Sequence, residues 1–265
     1  FAAYWFVNQR IDLPLIIGTI FFLIPYNFLM YGINDVFDYE SDLRNPRKGG
    51  IEGALLDPKY HVLTIWASVS FAAVFVVYLL LVGSVEANLW LGFTLAAVLA
   101  YSVPGLRFKE RPFLDSFTSA VHFVGPMVYG LVLAGSSIAD PTVMAVIVAF
   151  MGWGMASHAF GAVQDVRADR EAGIKSVATQ IGARNTVRFA FALYIVSALV
   201  VMTIGWHGVV ASLAVVPYLV IISPYLNITD SDCERANGGW KKFIWLNFAA
   251  GALISLVVIN YFQAN

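Results

Sequence analysis

The sequence predicts an all-α fold: a polytopic membrane bundle of nine transmembrane helices, the first of them truncated, forming a single domain over residues 1–265. Three observations lead there. Hydrophobic residues make up 59% of the chain and charged residues only 12%, with a mean hydropathy of +0.74, whereas soluble domains carry about 25% charged residues. Apolar runs recur along the whole length. Between them, short loops alternate with long, charged ones.

In chain order, "FAAYWFV" reads as the end of a truncated first helix, because it lacks the basic region and small-residue cleavage site of a signal peptide. Apolar runs then lie near 13–33, 61–83, 86–103, 115–134, 141–162, 187–205, 208–226 and 241–262. Each can cross a hydrocarbon core of about 30 Å at about 1.5 Å per residue. In lipid the backbone must satisfy its own hydrogen bonds, so the runs are helices. No linker or change of composition marks a second domain.

The short connections are 9–12, 84–85, 135–140, 206–207 and the C-terminal tail; the long ones are 34–60, 104–114, 163–186 and 227–240. Counting Arg188, Lys241 and Lys242 at adjoining helix ends, fifteen of the sixteen Lys and Arg residues fall on the long-loop side, and only Arg10 lies opposite. Basic loops stay cytoplasmic, so the long loops are expected in the cytoplasm and the C-terminus across the membrane. Asn227 in "NIT" matches a glycosylation acceptor, but on the cytoplasmic side it would go unused. The single Cys233 excludes an intrachain disulfide and falls short of a metal-ligand set, so it reads as an ordinary loop residue. A net charge of −1 leaves no footprint for nucleic acid.

Against this background the stretch "GINDVFDYESDLRNPRKGG" stands out, with four acids from Asp35 to Asp42 at the end of an apolar run. On a helix advancing about 100° per residue, Asn34, Asp35, Asp38 and Asp42 fit within roughly 100° of one face, and Glu40 falls on the other side. Carboxylates this close repel one another, so a cation is expected among them. A second acidic face occurs in "GAVQDVRADREAGIKS", where Asp165 and Asp169 are one turn apart, again at the cytoplasmic end of an apolar run. Oxygen ligands without His or Cys suit Mg²⁺, which keeps several waters and is shared with substrate phosphates. Basic residues lie alongside: Arg47 and Lys48 after the first cluster, Arg167, Arg170 and Lys175 around the second, and Tyr101, Arg107, Lys109 and Arg111 in "YSVPGLRFKER". Mg²⁺ with Lys and Arg is the combination a phosphate-bearing substrate requires.

Simpler explanations compete for many of these residues. Glu40, Glu52, Asp57, Glu110 and Glu171 read better as solvated caps and interfacial anchors. For any single basic residue, the positive-inside rule is a sufficient reason to be there. Two acidic faces at one membrane depth are much harder to explain that way. Within the apolar runs, Asn27, His122, His158 and Asn247 are candidates either for lining a cavity or for helix–helix hydrogen bonds.

These residues resemble the UbiA superfamily of intramembrane prenyltransferases. Its N-D-x-x-D-x-x-x-D hallmark is matched by Asn34, Asp35, Asp38 and Asp42, and its second D-x-x-x-D by Asp165 and Asp169 with "GIKS" following. Its tyrosine-and-basic loop is matched by Tyr101 with Arg107 or Lys109. Several stretches, among them "FKERPF" and "WGMASHAFGAVQDVRADREA", are similar to the actinobacterial lycopene elongases of that superfamily.

The resemblance implies a nine-helix bundle and transfer of a prenyl group from an allylic diphosphate, dimethylallyl diphosphate, to a carotenoid such as lycopene taken from the bilayer. It implies that Asn34, Asp35, Asp38, Asp42, Asp165 and Asp169 hold Mg²⁺, with Asp38, Asp42, Asp165 and Asp169 catalytic. Arg47, Lys48, Tyr101, Arg107, Lys109 and Lys175 would then contact the diphosphate. Two alternatives stand beside it: a prenyltransferase acting on an aromatic quinone precursor or a lipid, and a cation-coupled transporter. Acids at helix ends instead of the midplane, and no visible inverted repeat, speak against transport. A soluble-type prenyl diphosphate synthase is excluded by composition.

Overall fold

The computed structural model describes residues 1–43 and 55–264, and among these the only regular structure is helical. Eight segments are long and apolar enough to cross a membrane: Leu13–Glu40, Pro58–Val82, Val85–Ser102, Leu114–Leu133, Pro141–Val163, Ala183–Met202, Trp206–Tyr225 and Asp230–Tyr261. They coincide with the expected apolar runs to within a few residues at most ends. The stretch expected to end a truncated helix forms the short α1, Ala2–Asn8. Exposed large side chains such as Leu81 at 80%, Trp245 at 77% and Trp66 at 67% are the lipid-facing surface of a multi-pass membrane protein.

The chain divides into two compact units, Phe1–Phe108 with Gly125–Ser136, and Lys109–Val124 with Ser137–Asn265. In the first unit, α2 (Leu13–Leu23) starts at Asp12, whose carboxylate accepts the Leu15 N–H, and is followed by α3 (Pro25–Asp42). The two halves of this span are separated at Ile24, which leaves helical geometry where Pro25 lacks an N–H to continue the ladder. Asn27 Nδ2 donates to the Phe22 and Leu23 carbonyls at 2.9 and 3.0 Å, giving partners to carbonyls at the C-terminal end of α2. The unit continues with α4 (His61–Val82) and α5 (Val85–Ser102), each preceded by an acceptor side chain, Asp57 before the Pro58–Tyr60 turn and Ser84 before α5. Close packing of α3 on α4 needs Gly32, because an added Cβ would lie 3.1 Å from Thr64 Cγ2.

In the second unit, α6 (Leu114–Leu133) contributes its first half, residues 114–124. α7 (Pro141–Val163) follows, then two short helices, α8 (Val166–Ala172) and α9 (Val177–Ile181), and the long α10 (Ala183–Met202). The span 206–225 is broken into α11 (Trp206–Ser212) and α12 (Val216–Ile222) with 3₁₀ turns at Leu213–Val215 and Ser223–Tyr225. A 3₁₀ segment, Asp230–Ala236, leads into α13 (Asn237–Ala264). The core joins Ala156, Ala159, Phe160 and Val163 of α7 to Val187, Ala190 and Tyr194 of α10, with Tyr218, Ile222 and Phe243. Its polar groups are paired internally: Ser157 with Tyr194 at 2.8 Å, and Tyr218 Oη donating to Asn247 Oδ1 at 2.6 Å. Asn247 thus serves packing, as does Asn27. Cys233 is a correction: it sits in the 3₁₀ segment, 1% exposed, with its Sγ 3.7 Å from the Gln164 carbonyl.

Candidate active site

The first acidic face is built by helix continuity. α3 runs unbroken to Asp42, so the angular relation among Asn34, Asp35, Asp38 and Asp42 holds in the folded chain. Asp38 is buried at 8% exposure, Asn34, Asp35 and Asp42 are half-buried, and Glu40 is exposed on the other side. Asn34 Oδ1 accepts from Ser102 Oγ at 2.8 Å, which fastens the motif to the last residue of α5, next to half-buried Tyr101. Beyond α5 the chain turns sharply, with Gly105 at φ 91° and Arg107 at φ 40°. A left-handed conformation at a non-glycine residue costs on the order of 1–3 kcal/mol. The turn returns the guanidinium to α3, where Arg107 Nη2 lies 3.9 Å from Asp38 Oδ1. Arg107, one of the two basic residues left open by the sequence, thus lies beside an acid of this motif. Lys109 is half-buried in the Phe108–Glu110 3₁₀ turn and falls in the second unit. Arg47 and Lys48 lie outside the described residues.

The second acidic face is built differently. α7 stops at Val163, and Asp165 is the N-cap of α8 instead of a member of one long helix. Asp169 N–H still bonds the Asp165 carbonyl at 2.8 Å, so the two half-buried acids remain one turn apart. Gln164 organises the break: it is buried, its Nε2 donates to the Gly161 carbonyl, and its Oε1 accepts from Asn237 Nδ2 at 2.5 Å. Two ion pairs then fix α8, Arg167 to Glu234 at 2.6 Å and Arg170 to Asp230 at 2.5 Å. Arg170 also donates to the Thr179 carbonyl, and Asp230 Oδ1 accepts the Ala183 N–H at 2.7 Å. Arg167 and Arg170, which the sequence places around the second acidic face, are thus engaged by protein carboxylates. Exposed Lys175 lies in the loop between α8 and α9.

One residue in this unit gave no sequence signal beyond an acid at a helix start. Asp115 is completely buried, and its Oδ2 accepts the Val177 N–H at 2.7 Å and lies 3.8 Å from His158 Nε2. That gives His158 a carboxylate neighbour within its own unit. His122 is buried at 8% exposure.

Among the described residues no three His, Cys, Asp or Glu side chains form a ready-made metal cage. The oxygen-only donors of each motif fit a hard cation held by one or two carboxylates, waters and a ligand's phosphates. A surface cavity of about 390 Å³ is lined by Gly182, Arg184, Asn185, Arg188, Thr229 and Asp230, among others, and contains none of the metal or diphosphate ligands expected from the sequence.

Comparison with known proteins agrees with this architecture. The model of the UbiA prenyltransferase family matches residues 1–257. The chain is 53% identical over 258 residues to the C(50) beta-cyclic carotenoids biosynthesis protein of Dietzia sp., covering 97% of this chain and 60% of that protein's length. It is 47% identical over 261 residues to the lycopene elongase/hydratase of Corynebacterium glutamicum, covering 98% of this chain and 91% of the relative. Among solved structures, a UbiA homolog from Archaeoglobus fulgidus bound to DMAPP and Mg²⁺ aligns over 96% of this chain and 93% of that one, with TM-score 0.64 and 18% identity. The apo UbiA homolog from Aeropyrum pernix K1 gives a TM-score of 0.68 at 16% identity over 97% and 94%. At such identities the structural matches establish the fold. Together with the family match along nearly the whole sequence, they lead to one conclusion: this chain belongs to the UbiA prenyltransferase family.

Proposed function

We propose that this chain transfers a five-carbon prenyl group from dimethylallyl diphosphate to the end of a linear carotenoid such as lycopene, with Mg²⁺, releasing diphosphate. The observation that carries the reading is the 47% identity, over 98% of this chain, to a protein named for lycopene elongation. The Archaeoglobus fulgidus homolog bound to DMAPP and Mg²⁺ supports the donor and the metal.

Asn34, Asp35, Asp38 and Asp42, with Asp165 and Asp169, are the ligands for Mg²⁺. The bound ion would neutralise charge developing on the departing diphosphate, a Lewis-acid role. Arg107, beside Asp38, adds a fixed positive charge where that negative charge grows. Lys175, Lys109, Tyr101, Arg47 and Lys48 supply the remaining diphosphate contacts. When the carbon–oxygen bond breaks, the allylic cation is attacked by the terminal alkene of the acceptor. A carbon–carbon bond forms, the positive charge moves to the acceptor, and loss of a proton or capture of water then discharges it. Aromatic faces can stabilise such a cation by about 2 kcal/mol each when water is excluded.

The donor is cytoplasmic and the acceptor membrane-borne. A diphosphate is too charged to cross lipid, where each charge at the bilayer centre costs on the order of 3 kcal/mol. A hydrocarbon carotenoid is confined to the lipid. The positive charge of the long loops supports a cytoplasmic site and a C-terminus on the other side.

Sealed vesicles of known orientation, preloaded with lycopene, test the whole reading. Inside-out vesicles given external donor should form elongated pigment, identified by mass. Right-side-out vesicles should do so only after permeabilisation. Pyrophosphate release with an aromatic acceptor, and none with lycopene, would replace the carotenoid by a quinone precursor.

A further inference from the structure

The backbone around Lys175 is held on both sides. Before it, Ile174 N–H bonds the Asp169 carbonyl at 2.8 Å, tying the loop to the helix that carries the second acidic pair. After it, Ser176 N–H bonds Thr179 Oγ1 at 2.7 Å in a capping box. The next amide, Val177 N–H, goes to a residue 62 positions away, the buried Asp115 of α6. A serine, an asparagine or water could accept that hydrogen bond without placing a charge in the interior. Burying a carboxylate is costly unless it is paired, and its return is a stronger, charge-assisted bond.

We infer that Asp115 is a positioning residue for diphosphate binding: through Val177 it locks the 173–176 loop so that Lys175 stays in register with Asp169. This rests on the assignment of Lys175 to the diphosphate. His158 Nε2 lies 3.8 Å from the same carboxylate and flanks it from α7. Asp115 touches no substrate in this scheme. It removes the loop's freedom, so that the flexible lysine loses only side-chain entropy when the donor arrives.

The test is a binding cycle on the full chain in detergent with Mg²⁺, using dimethylallyl thiodiphosphate, an unreactive donor analogue, so that the identity of the acceptor does not enter. Asp115→Asn should weaken its affinity about tenfold, the difference between a charge-assisted contact and a neutral one. Turnover at saturating donor should stay within about threefold of wild type, since the loss is in binding. Val177→Pro removes the bond altogether, from the donor side. Proline is accommodated at the first helical position, and Ser176 before it is already extended (φ −149°, ψ 171°). It should reproduce the loss even where Asp115→Asn fails to accumulate.

In a Lys175→Gln background neither substitution should weaken binding further. Equal losses in both backgrounds would make Asp115 a general structural residue and overturn the inference. Unchanged affinity in the Lys175→Gln single variant would remove Lys175 from the diphosphate site, and the inference with it. That result is read separately from the cycle.

Discussion

The two acidic motifs present the same chemistry on two kinds of support. Asp38 stands on a helix of 18 residues, buried, with Arg107 brought to it by a strained turn. Asp165 and Asp169 stand on a helix of 7 residues whose place is fixed by side chains outside it, Glu234 and Asp230 on Arg167 and Arg170. A short helix has little stability of its own in water, so the second motif depends on its clamps. The first depends on the continuity of α3. Loss of an acid should therefore be severe in either motif, whereas loss of a supporting residue should matter chiefly in the second.

The largest effects test the shared chemistry. Asp38→Asn and Asp165→Asn should each lower turnover by about 10³-fold, the scale of removing one group that stabilises transition-state charge. Both proteins should remain folded and membrane-inserted by size exclusion. Wild-type turnover in either variant at saturating Mg²⁺ would remove that acid from the metal site. Chelation by EDTA should abolish activity, and Mg²⁺ or Mn²⁺ should restore it; recovery with Zn²⁺ alone would contradict an oxygen-only donor set.

A smaller effect separates the supports. Arg170→Gln should raise the Mg²⁺ concentration for half-maximal activity by a few fold, because partly exposed ion pairs contribute about 1 kcal/mol or less. Asp230→Ala should also lower thermal stability by about 1 kcal/mol, since it strips the Ala183 amide of its acceptor. Combined with Arg170→Gln, its effect on the Mg²⁺ requirement should be less than additive. Strict additivity would mean that the pair does not act as one clamp.

The smallest effect is a control on unit 1. The hydrogen bond from Lys59 holds the Asp57 carboxyl below the usual carboxylate range. Its folded pKa is depressed, so any stability it adds is present above the ordinary carboxylate pKa and is lost as pH falls through the lowered value. Asp57 is exposed, and Asp57→Asn should leave activity within about twofold, as expected for a surface position.

Much of this was legible because membrane spans are long apolar runs, and because a helix fixes which residues share a face. The α3 motif is the clearest case: an unbroken helix makes spacing into geometry. Where the chain departs from a regular helix, that reasoning lost its footing. Pro25 splits the first long run, and 3₁₀ turns divide the span from Trp206 to Tyr225. Both segments remain apolar throughout, so composition alone shows no interruption. Residues 163–186 looked like a charged loop yet contain α8 and α9, whose polar faces are occupied by partners about 60 residues away in sequence. Arg167 and Arg170 show the same ambiguity. A basic residue beside an acidic motif fits a phosphate or a distant carboxylate equally well, and only the fold distinguishes them. Buried Gln164 and Asp115 belong to this group: each resembles an ordinary helix end until its long-range partner is known. The assignment of the metal and diphosphate ligands rests on the family pattern, and the experiments above are its test.

The clamp on α8 also makes the protein a responder to its ionic surroundings. Its two ion pairs are about half exposed, with side-chain accessibilities of 54% and 64% in one and 44% and 43% in the other. Mobile ions screen such charges over about 8 Å at physiological ionic strength and about 3 Å at 1 M. Rising potassium chloride would loosen the second acidic helix while barely touching Asp38 on α3. A rise in ionic strength around the protein would thus act on one of the two acidic supports and leave the other in place.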